Sequence, residues 1–246
     1  METLLLILIF LVAILYASVG HGGASGYLAL MALFHVAPDE MKPAALIMNV
    51  VVSLNAWLQF SREVKMPLRI FITLIAGSIP AAYFGAGITL PVEVYRKILG
   101  VMILIAAIRL IPVFQLKSPG EKPPSFPVLL ICGCAIGFVS GITGIGGGII
   151  LSPLLLWMGW ATVKETALIS ALFICLNSIS GITALVSKGA AFGNHLVEWT
   201  AVALAGGIIG AWIGSKKFQP SGLKTALSLV LLIAGIKQIG RASCRE

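Results

Sequence analysis

Carboxylates are almost missing from this sequence where they would matter most. There are nine, and each is terminal or close to a loop: Glu2, Asp39, Glu40, Glu63, Glu93, Glu121, Glu165, Glu198 and Glu246. None stands inside an apolar run. Cation sites and carboxylate proton relays in membranes use buried acids, so their absence argues against both. Cysteine is scarce too, and Cys132 and Cys134 form a CxC rather than a CxxC, with no second pair to close a zinc site. The cysteines read as small apolar filler. No HExxH, GxGD or P-loop pattern is present, so the common enzyme classes have no foothold. Neither a metal nor a cofactor is expected. No polar stretch is long enough to fold by itself, the longest running only from Lys117 to Ser125.

What is present is apolar surface. The chain is 59% hydrophobic with a mean hydropathy of +1.04, and its 11% of charged residues is under half the share usual in soluble domains. This composition predicts an all-α polytopic membrane protein embedded in a lipid bilayer. The net charge of +8 does not indicate nucleic acid. Lys and Arg lie mostly in short loops, as the positive-inside rule requires. Residues 1–16 have no basic leader and are followed by more apolar sequence, so they read as a retained helix rather than a signal peptide. Residues 241–246 change composition abruptly and read equally as a native stub or an added tail.

The sequence repeats itself. ASVGHGGASGYLAL (17–30) aligns with GITGIGGGIILSPL (141–154), placing Gly20, Gly22 and Gly23 on Gly144, Gly146 and Gly147. AALIMNVVVSLNA (44–56) aligns with TALISALFICLNS (166–178), placing Asn55 on Asn177. Two further blocks, 76–86 with 205–215 and 94–104 with 223–233, follow in the same order. A single membrane domain over 1–240 is therefore expected, built from repeat 1 (1–115) and repeat 2 (126–240) across a polar linker at 116–125.

Each repeat offers three full apolar spans, about 43–61, 68–89 and 92–112, then about 165–186, 195–215 and 221–240. Before them stands a stretch interrupted by glycines, with flanks at 3–18 and 25–36 and at 127–142 and 148–160. If that stretch is one bent crossing, the repeats are parallel. If it is a hairpin, each repeat has a glycine-broken helix pair plus three transmembrane helices, and the repeats are inverted. The hairpin reading gathers Arg62, Lys65, Arg69, Lys117, Lys122, Lys164, Lys216, Lys217 and Lys224 on one side, and charge therefore favours it.

Irregular backbone at membrane depth survives only inside protein or along a wet cavity. Short, glycine-interrupted segments in both halves point to a transporter binding site. Glycines let N–H groups converge, and each following helix offers free N–H groups and a positive dipole end. Two such ends facing each other suit an anion. The candidate substrate-binding residues are Ser18, Gly20, His21, Gly22, Gly23, Ser25, Asn49, Ser53, Asn55, Thr143, Gly144, Gly146, Gly147, Gly148, Ser170 and Asn177. His21 is the one ionisable group expected deep inside, and it can carry a proton or offset charge. The glycines also suit plain helix packing, and the asparagines suit capping of broken backbone. GASG (23–26) matches the GxSG of intramembrane serine proteases, with Ser25 as nucleophile. Its repeat counterpart is Ile149, and His35 and His195, the histidines available as base, lie near span ends, so no enzyme is expected.

GHGGASGYL and GITGIGGGIILSPLLLWMGW followed by KETALISALF resemble the sulfite exporter TauE/SafE family, also called the toluene sulfonate uptake permease family. The resemblance runs from about 5 to 240. The first copy departs from the usual pattern, with His21 among its glycines and Ala29 where the second copy has Pro153. The resemblance implies a multi-pass inner-membrane carrier, often an exporter, for sulfite, an organosulfonate or a related organic anion. An anion channel of the same fold is the alternative. The partner expected is the small anion. A homodimer is compatible with a carrier of this size, although the sequence carries no interface signature.

Overall fold

The computed structural model describes residues 2–88, 90–110, 124–190 and 192–216. The expected span at 221–240, the tail at 241–246, residues 116–123 of the linker and the ends of both repeats lie outside them. The described residues hold nine helices: α1 Glu2–Ala17, α2 Ala24–Leu33, α3 Pro38–Phe60, α4 Leu68–Ala86, α5 Val92–Leu110, α6 Phe126–Thr143, α7 Gly148–Trp157, α8 Val163–Ser187 and α9 Leu196–Lys216. Five of them, α3, α4, α6, α8 and α9, are long and apolar enough to cross a membrane.

Local chemistry sets the helix ends. Pro38 opens α3, where its fixed φ suits the first turn, and Asp39 and Glu40 follow at the positive end. The expected span began at residue 43; the helix begins five residues earlier because these polar residues form its first turn rather than a loop. Thr162 and Glu165 form a reciprocal capping box at the start of α8.

The 10-residue helices α2 and α7 reach about 15 Å, half of a hydrocarbon core about 30 Å thick. Their partners are longer than halves. The 16 residues of α1 and 18 of α6 extend about 24 and 27 Å. The first pair folds back with Gly26 of α2 against Val12 and Tyr16 of α1; in the second, Gly147 of the break lies on Ile136 and Ser140, and Leu151 and Leu155 of α7 share an apolar cluster with Leu129 and Ile136 of α6.

Glycine seams join the bundle. Gly133, Gly137 and Gly141 of α6 lie on Leu74, Ser78 and Ala82 of α4, so the two helices run parallel. Gly206, Gly210 and Gly214 of α9 lie on Phe10, Ile14 and Ser18, at the same spacing along α1. Such small residues allow backbones to approach closely. Between the seams α3 runs antiparallel to α8, with Leu46 beside Gly181, Asn49 beside Ser178 and Phe60 beside Ala167. The pairings are reciprocal: α1 packs on α9 as α6 packs on α4, and α3 on α9 as α8 on α4. One apolar core gathers α1, α2 and α3 with Tyr95, Leu99 and Ile103 of α5; a second gathers α4, α6, α7 and α8. Leu4, Ile7, Phe84, Ile131 and Val197 point outward, as lipid-facing side chains do.

Candidate functional site

Both breaks turn on left-handed glycines. Gly23, with φ 100°, precedes α2, and Gly147, with φ 80°, precedes α7. A side chain at either is strained by the backbone angle and collides with Tyr27 or Phe173. Gly20, Gly144 and Gly146 share the positive φ, and Gly22 does not. A β-carbon on Gly22 would sit 2.2 Å from Asn49 Oδ1, and one on Gly146 would sit 2.7 Å from Asn49 Nδ2. The missing side chains are thus what admit Asn49 between the two breaks.

Asn49 stands at the middle of α3 and is fully buried. Its Oδ1 accepts the Ala24 N–H at 3.0 Å, taking one of the orphan donors at the start of α2. Its Nδ2 donates to the Ile145 carbonyl at 3.2 Å and to Ser178 Oγ at 3.4 Å. One amide therefore joins α2, the second break and α8. Among the described residues, the N–H groups of Gly22, Gly23, Gly146 and Gly147 find no acceptor.

A second polar chain lies beside it. His21 Nδ1 lies 3.0 Å from the Val19 carbonyl, and Nε2 lies 3.1 Å from the Gly148 carbonyl and 3.0 Å from Ser152 Oγ. Ser152 Oγ is 2.7 Å from Ser170 Oγ. The chain runs from the first break across the start of α7 to α8, and His21 is only 3% exposed. In a neutral ring one nitrogen donates and the other accepts, so Ser152 can donate to Nε2; an imidazolium donates from both, and Ser152 then turns its proton elsewhere.

The other candidates sit apart from these two networks. Ser18 donates to Leu15, Ser53 to Asn49 and Thr143 to Val139, each to a carbonyl of its own helix or helix end. Asn177 donates to Phe173 within α8, leaving its Oδ1 buried without a partner. Asn55 accepts from Gln59 on the α9 side of α3. Neither matched asparagine caps a break; the unmatched Asn49 does. Ser25 Oγ is 2.7 Å from the Tyr16 hydroxyl, and Tyr95 donates to the Thr143 carbonyl. The protease-like pattern therefore pairs its serine with a tyrosine. A small recess opens beside the second break between Met102, Ser140, Thr143, Ile145, Gly147 and Ile149, with mainly apolar walls.

Sequence reasoning missed Ser152 and Ser178. Ser152 had a readable signal: it stands one turn after Gly148, at the start of a half-helix. Ser178 lies directly after Asn177, but which of the two faces the break depends on helix rotation. No group of three His, Cys, Asp or Glu that could hold a metal occurs among the described residues.

These features define a multi-pass helical membrane protein with paired broken helices around a buried polar centre. A model of the family described as sulfite exporter TauE/SafE matches residues 5–238. The chain is 37% identical over 237 residues to the probable membrane transporter protein y4hK of Sinorhizobium fredii (strain NBRC 101917 / NGR234), covering 95% of this chain and 96% of that one. It is 28% identical to the probable membrane transporter protein YdhB of Bacillus subtilis (strain 168), covering 95% and 98%. It is 26% identical to the probable membrane transporter protein MJ0441 of Methanocaldococcus jannaschii, covering 95% and 93%. The chain belongs to the sulfite exporter TauE/SafE family and is a membrane transporter of that family.

Proposed function

We propose that the protein is a secondary carrier of the inner membrane that exports sulfite, an organosulfonate or a related organic anion. The observation that carries this reading is the meeting of the two glycine breaks at Asn49, with unpaired N–H groups at Gly22, Gly23, Gly146 and Gly147. Convergent backbone donors at two helix N-termini recognise oxyanions without a fixed cation. Among the described residues the polar centre has no carboxylate to repel one. His21 offsets the anion's charge when protonated, and Asn49, Ser152 and Ser170 orient its oxygens. Asn55 and Asn177 stand outside this centre, bonded within their own helices.

We infer that the repeats are inverted. The support is the fold-back of both helix pairs and the parallel seams, which open one hairpin toward the start of α3 and the other toward the start of α8. Arg62, Lys65, Arg69, Lys164 and Lys216 then share the cytoplasmic face. No catalytic role is proposed.

The test is flux in proteoliposomes. Purified protein should carry labelled sulfite or a sulfonate with saturation and counterflow, and the same anion should raise the thermal stability of the detergent-solubilised protein by mass action. Flux without saturation or counterflow would assign a channel. Stabilisation by cations alone would overturn the anion reading.

A further inference from the structure

Two lysines meet at the C-terminal end of α4. Lys42 lies in the second turn of α3, half-buried, and Lys188 caps the C-terminus of α8. Lys42 Nζ donates to the Ala86 carbonyl at 3.2 Å, and Lys188 Nζ donates to the Gly87 carbonyl. These are adjacent carbonyls at the end of α4. The two ammonium groups are therefore held at neighbouring carbonyls at one end of the bundle. Among the described residues neither has a carboxylate at salt-bridge distance; the ion pairs there join His195 to Glu2 and to Glu198. Glu40, two residues earlier on α3, leans toward Gly193 instead.

The stem of Lys42 also lies on the second break. A β-carbon on Gly144, the first residue of that break, would come within 2.9 Å of Lys42 Cγ. From there the backbone runs inward to Gly146 beside Asn49. The lysine pair thus stands at the outer end of the second glycine break, whose inner end is the proposed anion centre.

Binding the carbonyls of a helix C-terminus explains one lysine well. It accounts for the second as well, on the next carbonyl, but it sets two like charges side by side there. Each ammonium has three donors and uses one on α4. The remaining donors and the double positive charge suit an oxyanion bridging them.

We propose that Lys42 and Lys188 form a peripheral subsite that holds a sulfur oxyanion at the outer end of the second glycine break, where substrate pauses between the central site and the aqueous face at which α3 begins and α4 ends. This rests on the anion-carrier reading above, and it adds a cation pair on one face only.

The test uses full-length protein oriented in liposomes and the anion that gives saturable flux. Lys42→Gln, Lys188→Gln and the double variant each keep an N–H donor for the α4 carbonyls and lose the charge. For anion presented at that face, KM in the double variant should rise about tenfold at low ionic strength, the gap narrowing in high salt as screening replaces the lost attraction. From the opposite face KM should stay unchanged. Lys42→Arg should retain most of the affinity. Variants that lose thermal stability or kcat with KM unchanged would leave the lysines as helix caps and overturn the subsite. An equal KM rise at both faces would overturn its sidedness and with it the proposal. If the unaltered protein neither carries nor is stabilised by any oxyanion, the carrier reading falls first and the subsite falls with it.

Discussion

Asn49 and Ile145, 96 positions apart, are joined by a hydrogen bond of 3.2 Å from the asparagine amide to the isoleucine carbonyl. The same side chain accepts the Ala24 N–H. His21 makes a second link, from within the first break to the Gly148 carbonyl at 3.1 Å.

Asn49→Ala should therefore be costly. It orphans the Ala24 N–H and the Ile145 carbonyl, and a buried polar group left without a partner costs about 1–3 kcal/mol. Thermal denaturation in detergent should show a loss of several degrees. Ser178→Ala, which removes only the longer 3.4 Å contact, should lose much less. Equal losses would show that Asn49 acts by packing alone.

The glycines divide into two kinds by what surrounds them. A β-carbon on Gly210 would lie 2.1 Å from the Ile14 carbonyl, so Gly210→Ala should drive α1 and α9 apart and yield little folded protein. Gly189 has φ 75° but nothing within 4 Å, so Gly189→Ala should cost only the left-handed backbone, about 1–2 kcal/mol. Size-exclusion profiles and melting temperatures of the two variants check this contrast.

Ser152 links His21 to Ser170, so their contributions should not add. Ser152→Ala and Ser170→Ala should each lower stability by about 1 kcal/mol, and the double variant by less than the sum. A double-mutant cycle in detergent measures the coupling. Strict additivity would mean that the 2.7 Å contact between the hydroxyls contributes nothing.

Much of this architecture was legible in the residues. The apolar runs marked the helices to within a few positions, and the aligned glycines marked both breaks. Asn49 and Ser170 were recognisable as polar groups inside a span. The role of Asn49 was not, because matching the repeats drew attention to Asn55 and Asn177, while Asn49 has Ala171 as its counterpart. Repeat alignment finds what both halves share; a centre bridged by one residue is an asymmetric feature. Lys42 was hidden for another reason. Nothing in its sequence position marks it, and only tertiary packing sets its stem against Gly144. The four-residue spacing of Gly133, Gly137 and Gly141 was visible too, but spacing does not name the helix that fills the groove.

Those seams bear on what can move. α1 belongs to the first half of the sequence and α9 to the second, yet carbonyls of α1 press into the glycines of α9; α4 and α6 cross the halves in the same way. Contacts this close leave no room for sliding or rotation without collision. The close-packed units are therefore not the two halves of the sequence. Each is a mixed blade, one helix from either half, and a rocking motion that separated first half from second would have to tear both blades. In the carrier proposed above, alternating access is expected to run between the blades, along α3 and α8.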